Sequence, residues 1–162
     1  GSFPTMNQTM TNLRYMYLYH NSFSGPCPKL DSSKLIRWYA YNNFFTGSIP
    51  DFSTCGNNLR IVKGAKNLFS TYTTGFLSGN TNAYTIDFSN NRLEASMLRP
   101  FLIDMVENYL NGGVTKTINF KGQSGPNRLR EGSKFDGTTG EDSTEAKLKF
   151  LRGAGWSILL DS

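Results

Sequence analysis

The sequence predicts an α/β solenoid with a parallel β-sheet on one face, closed by a helical C-terminal cap. Three observations predict it. The stretch Leu13 to Pro28 has the frame LxxLxLxxNxFxGxxP, with Leu13, Met16 and Leu18 at its apolar positions and Asn21, Phe23, Gly25 and Pro28 at fixed offsets. The frame returns at Leu35, Trp38, Ala40, Asn43, Phe45, Gly47, Ile49 and Pro50. After Leu93 the apolar spacing changes from the alternation of a strand to the three-and-four spacing of a helix.

Copies of the frame begin at Leu13, Leu35, Leu59 and Ala83, a period of 22 to 24 residues within the leucine-rich-repeat range of about 20–29. The third copy has Leu59, Val62, Gly64, Asn67 and Phe69. The fourth has Ala83, Ile86, Phe88, Asn91 and Leu93. A looser fifth has Ile118 and Phe120, with Gln123 in the Asn position. Each copy predicts one short strand with alternate residues facing the core, and stacking makes the apolar row continuous. Asn21, Asn43, Asn67 and Asn91 fall where the chain leaves the strand. A buried amide there can satisfy the freed backbone N–H and C=O groups, so the copies predict an Asn ladder. Phe23, Phe45, Phe69 and Leu93 form a second spine behind it. At the start, Gly1, Phe3 and Pro4 match Gly25, Cys27 and Pro28. The chain is therefore expected to begin at the end of a copy, as part of a longer polypeptide or with that end covered by another chain.

Met97 to Leu110 predicts a helix, with Ser96 as N-cap and Gly112–Gly113 as its end. A strand over Lys116 to Lys121 follows, then a Gly-rich loop from Gly122 to Gly140. Asp142 and Glu145 have capping-box spacing before a helix from Ser143 to Arg152. Gly155 to Asp161 predicts a last strand. The expected organisation is residues 1–94 as repeats and 95–162 as irregular last repeats and cap.

Composition narrows the function classes. The net charge of +5 favours an anionic partner. There is no Lys or Arg run of the kind that marks a nucleic-acid-binding tail, so no nucleic-acid partner is expected. No apolar stretch approaches the ~20 residues of a membrane span. Cys27 and Cys55 are too few for a disulfide framework or a zinc site, and two buried thiols are expected.

The frame also says which strand residues face outward. They are Tyr15, Tyr17, Tyr19 and His20 in the first copy; Arg37, Tyr39, Tyr41 and Asn42 in the second; Ile61, Lys63, Ala65 and Lys66 in the third; and Thr85, Asp87, Ser89 and Asn90 in the fourth. The candidate ligand-binding set is Tyr15, Tyr17, Tyr19, His20, Arg37, Tyr39, Tyr41 and Lys63. Tyr offers an apolar face and a hydroxyl with few rotors to freeze, and flat phenol faces suit a sugar ring. Three readings stand side by side: a glycan- or protein-binding patch, tyrosine pairs that only stabilise neighbouring strands, and a face packed on another chain. His20, the only histidine, lacks a nucleophile and carboxylate beside it. Asp87 is the one acidic residue expected on the open face, too few for a paired-carboxylate glycosidase. Asp31 and Asp51 fall at turns, and Arg128, Arg130 and Lys134 on a charged loop. No catalytic residue, metal site or cofactor is expected; the glycines form no Walker motif.

The signature FTGSIP, and its variant FSGPCP, resembles the plant-type class of leucine-rich repeats. The tail, with Ile86 to Leu93, the helix to Gly113, Ile118 to Gly125 and LRGAGWSI over Leu151 to Ile158, is similar to the terminal repeats of leucine-rich-repeat proteins from tailed phages and aquatic bacteria. The resemblance implies a non-enzymatic adhesion module of a tail fibre or other virion surface structure, extracellular, with a cell-surface glycan or protein and other chains of the same fibre or virion as partners. A structural module holding chains together is the alternative. A plant-type receptor or inhibitor ectodomain is a further one, where paired capping cysteines, absent here, would be expected. Thr73-Thr74 stands where the third repeat should show Ile-Pro, and the loop from Ser124 to Gly140 is unusually charged. The first departure predicts a looser convex side.

Overall fold

Alternation along each copy of the frame buries one residue between two that face outward, and this pattern builds the main sheet. The computed structural model describes residues 1–4, 10–28, 31–73, 75, 79–132, 140 and 143–162. It is an α/β fold with two parallel sheets. The strands are β1 (Tyr15–Tyr17), β2 (Ser24–Pro26), β3 (Arg37–Tyr39), β4 (Phe44–Ser48), β5 (Ile61–Lys63), β6 (Leu68–Thr71), β7 (Thr85–Asp87), β8 (Thr117–Asn119) and β9 (Ser157–Leu159). Helices α1 (Leu98–Leu110) and α2 (Thr144–Gly153) lie between β7 and β8 and between β8 and β9. The larger sheet runs β1-β3-β5-β7-β8-β9, all parallel. Its central residues, Met16, Trp38, Val62, Ile86, Ile118 and Ile158, stand opposite one another and are all buried.

A second sheet, β2-β4-β6, is not foreseen by the frame. Ser24 pairs with Phe44 and Thr46 with Leu68, two residues out of step with the frame, and the bridge between Ser2 and Ser24 keeps the same stagger. The Phe spine packs behind it. Phe3 meets Phe23 edge-on at 5.0 Å, and Phe23–Phe45 and Phe45–Phe69 are stacked at 6.0 and 6.2 Å. The register shifts between Gly47 and Ser48, next to Thr73; Thr74 lies outside the described residues.

The turn amides tie neighbouring copies together. Asn43 Nδ2 donates to the Leu18 and Ala40 carbonyls at 2.8 and 3.2 Å, and its Oδ1 accepts from Phe23 N at 3.0 Å. Asn67 repeats this with Ala40, Gly64 and Phe45 N, and Asn91 with Gly64, Phe88 and Phe69 N. Gln123 does the same in the fifth copy, bonding the Phe88 and Phe120 carbonyls and accepting from Leu93 N at 2.9 Å. Asn21, expected to be buried, is exposed and donates only within its own turn, to Leu18 and Tyr19 carbonyls.

Core sizes compensate between copies. The frame places Leu18, Ala40, Gly64, Phe88 and Phe120 in one column. Gly64 is bare because the Phe88 ring of the next copy occupies the space: a Cβ at 64 would lie 2.3 Å from the Phe88 ring. Trp38 packs edge-on against Phe52 at 5.2 Å and near Phe88 at 6.2 Å.

The helices differ from expectation at their starts. Ser96 falls inside a 3-10 turn, Ala95–Met97, and caps nothing, since α1 has Met97 at its N-cap without a side-chain bond. Asp142 lies outside the described residues; Ser143 is the N-cap of α2, its Oγ accepting from Ala146 N at 3.1 Å. Both helices end as Schellman motifs on left-handed glycines. Gly112 and Gly113 donate to Tyr109 and Asn108, and Gly155 and Trp156 donate to Arg152 and Leu151. The helices meet where Tyr109 packs edge-on against Phe150 at 5.6 Å.

Lys116, just before β8, is 2% exposed. Its ammonium donates to the Ala83 carbonyl at 2.6 Å, with those of Thr81 and Val114 at 3.4 Å, and lies 5.2 Å from the Trp156 ring. Burial pulls its pKa down from 10.5 to about 8.

Candidate functional site: a tyrosine grid on the parallel sheet

Parallel, in-register pairing puts outward residues of successive strands side by side. Tyr17 stands opposite Tyr39, Tyr39 opposite Lys63, and Lys63 opposite Asp87. Tyr15 stands opposite Arg37. Tyr19 and Tyr41 continue the pattern just past the strands. Five tyrosines thus form a grid at the β1 edge. Tyr15, Tyr17 and Tyr19 are 49%, 48% and 40% exposed, whereas Tyr39 and Tyr41, which have neighbours on both sides, are half-buried.

The rings pack across the strands. Tyr19 and Tyr41 are stacked at 4.9 Å with planes 6° apart, and Tyr17 and Tyr39 lie at 5.0 Å and 33°. Along the strands the spacing is wider: 6.1 Å for Tyr15–Tyr17 and for Tyr17–Tyr19, and 6.2 Å for Tyr39–Tyr41. This corrects one expectation. The facing sides of Tyr19 and Tyr41 are used up on each other, so the pair does not offer those faces to a sugar ring. Each hydroxyl of the pair can both donate and accept.

Two cations border the grid. The Arg37 guanidinium sits 5.9 Å over the Tyr15 ring, and the Lys63 ammonium 5.2 Å over the Tyr39 ring, both cation–π arrangements. The Tyr17 hydroxyl, helped by that of nearby Tyr39, holds Arg37 above its ordinary pKa. Burial pushes the Tyr39 phenol up, against the lowering effect of Arg37. Neither cation forms an ion pair with a described residue. Asp87, beside Lys63, turns one carboxylate oxygen to Ser89 N at 2.9 Å.

His20 adopts a left-handed backbone, φ 56°, and so do Asn42, Lys66 and Asn90 at the same frame position. That conformation swings the His20 ring edge-on against Tyr19 and Tyr41, at 5.7 and 5.4 Å, with Asn42 Nδ2 3.1 Å from its Nδ1. His20 therefore braces the stacked pair. These residues are outward as the frame places them, but alternation does not predict their left-handed backbone; the recurrence of His, Asn, Lys, Asn and Gly just before each turn amide carries that signal. Tyr84, outside the expected outward set, is 45% exposed and near enough to Tyr39 to raise its pKa further. Ser89, expected to face outward, is buried.

Elsewhere the candidates disperse. Cys55 is buried and its thiol is pushed up to about 11, while Cys27 is only partly buried, contrary to expectation. Arg128 and Arg130 are exposed, and Lys134 lies outside the described residues. Among the described residues no three His, Cys, Asp or Glu side chains gather as a metal site, and no helix is long and apolar enough to cross a membrane. No protein-family model and no curated protein matches the chain.

Proposed function

We propose that the copies form a leucine-rich-repeat solenoid capped by its C-terminal helical region, and that it serves as a non-enzymatic binding module for a cell-surface glycan or protein. One observation carries the reading: an in-register grid of five tyrosines, bordered by Arg37 and Lys63, stands on the open sheet at positions the frame leaves free. Large aromatic surface left in water marks interaction sites. The resemblance of the tail, residues 95–162, to the terminal repeats of leucine-rich-repeat proteins from tailed phages and aquatic bacteria supports placing the module on a virion, in a tail or surface fibre, where many copies would multiply weak single contacts. A second reading is favoured by the exposure of Tyr15, Tyr17 and Tyr19 at a sheet edge: the grid packs on another chain of the same fibre.

The test uses labelled protein on immobilised bacterial surface polysaccharides and envelope proteins, with sedimentation to follow self-association. Tyr17→Ala with Tyr39→Ala should weaken binding at least about tenfold, the scale of losing one well-made interfacial anchor. Binding unchanged by the pair of substitutions overturns the proposal. Tyr-dependent self-association with no surface binding favours the second reading.

A further inference from the structure

We infer that the ligand of the tyrosine grid is an anionic polysaccharide, with Arg37 and Lys63 pairing its carboxylate or sulfate groups; this rests on the binding-module reading. The two cations are held over ring faces on the β3–β5 side of the grid, Lys63 beside Tyr39 and Arg37 two residues before it, and no described carboxylate pairs with either. A cation kept at a surface by an aromatic face, with its charge uncompensated, keeps its attraction for an anion. The other described charges beside the grid are Lys66, exposed in the next copy, and Arg14 before β1. Among the described paired strand residues Asp87 is the single carboxylate on this face, one strand beyond Lys63. It confines an anionic chain to β1, β3 and β5.

The rings decide between a polysaccharide and a protein. A protein hot spot is an anchor in a desolvated pocket, whereas Tyr15, Tyr17 and Tyr19 stand 49%, 48% and 40% exposed on a sheet face. The ring centroids of the grid repeat at about 5 Å across the strands and about 6 Å along them. A regular array of rings, each carrying a hydroxyl that can donate and accept, suits a polymer whose own groups repeat. The net charge of +5 acts in the same direction, concentrating polyanions near the surface.

The experiment compares polygalacturonate with its methyl ester, and dextran sulfate with dextran, by affinity electrophoresis and calorimetry. The acidic polymers should bind at least about tenfold more tightly than their neutral partners, and binding should weaken between about 50 and about 500 mM salt. Arg37→Gln and Lys63→Gln should each cost about tenfold, the loss of one charge-assisted bond, while Arg37→Lys and Lys63→Arg keep most of the affinity. Asp87→Asn should leave it unchanged or tighten it. Acidic-polymer binding indifferent to both Gln substitutions would mean general attraction to a basic protein and overturns the inference. Tyr17- and Tyr39-dependent binding to a neutral glycan or a protein, unaffected by those substitutions, overturns it while leaving the binding-module reading intact. Absence of any tyrosine-dependent binding overturns both.

Discussion

Lys116→Met should abolish a component of the pH dependence of stability that only a buried, unpaired lysine supplies. The ammonium is sealed beneath Trp156 against three backbone carbonyls, and burial lowers its pKa from 10.5 to about 8. In the unfolded chain it returns to its ordinary value. Below the folded pKa the lysine is charged in both states and its burial penalty is fully present. Between about 8 and 10.5 the unfolded chain still holds a proton that the folded chain has released, so stability rises with pH. The full shift corresponds to about 3 kcal/mol, of which about 2 kcal/mol should appear between about pH 7 and 9.5. The assay is urea unfolding by circular dichroism across that range, on the wild type and Lys116→Met. All other ionisable side chains are common to both proteins, so the difference isolates Lys116. At pH 7 the two should be of similar stability, because Met removes the buried charge but leaves the carbonyls unpaired. If the two stability curves run parallel from pH 7 to 9.5, the reasoning about Lys116 is wrong.

Two further predictions test the core and the ladder. Gly64→Ala, which moves the sequence toward the apolar frame, should destabilise by about 1–3 kcal/mol through the clash with Phe88, and Phe88→Leu on the same chain should recover part of it; an unperturbed melt for Gly64→Ala would refute the compensation. Asn67→Ala should cost about 2 kcal/mol in chemical denaturation, because it leaves the Phe45 N–H unpaired in the core and takes from the Ala40 carbonyl the shorter of its two amide donors, whereas Asn21→Ala, at an exposed turn, should cost less than about 1 kcal/mol; equal losses would deny the amides their role in joining copies.

The legible parts of the fold are those where one residue's burial follows from its own frame position. Met16, Trp38, Val62 and Ile86 are the central buried residues of four strands because alternation alone puts them inside. Strand ends were not legible, because side chains there compete for the backbone. The expected strand Lys116 to Lys121 shrinks to Thr117–Asn119 because Asn119 Oδ1 accepts from Lys121 N, and Asp161 from the N–H groups of Gly122 and Gln123. The second sheet was hidden because Ser24–Pro26 contains Gly and Pro, poor strand residues, and forms only through pairing with β4. Likewise Ser96 fails as a cap because Ala95 N donates to the Asn127 carbonyl, far along the chain, and sets the entry to the helix. The site was legible as a list of outward residues and not as a surface. Whether tyrosine faces are free depends on the ring in the next copy, and the left-handed His20 depends on the exit geometry shared by all copies.

That sharing bears on what the tyrosines are for. Aromatic pairs across strands contribute about 0.2–1 kcal/mol each, and a sheet needing them for cohesion would repeat them along its length. Here the same outward positions in β5 and β7 hold Ile61, Lys63, Thr85 and Asp87, and those strands pair in the same parallel register as β1 with β3. The backbone ladder and the turn amides hold them without aromatic help. Tyr17→Ala with Tyr39→Ala should therefore lower stability by no more than about 1 kcal/mol, measured by urea unfolding. A loss of several kcal/mol would make the grid a device for closing the β1 edge and would remove the reason for seeking a ligand there. A small loss together with a large loss of binding separates the two roles within one stretch of chain, in which Met16 and Leu18 build the sheet and Tyr15, Tyr17 and Tyr19 use it.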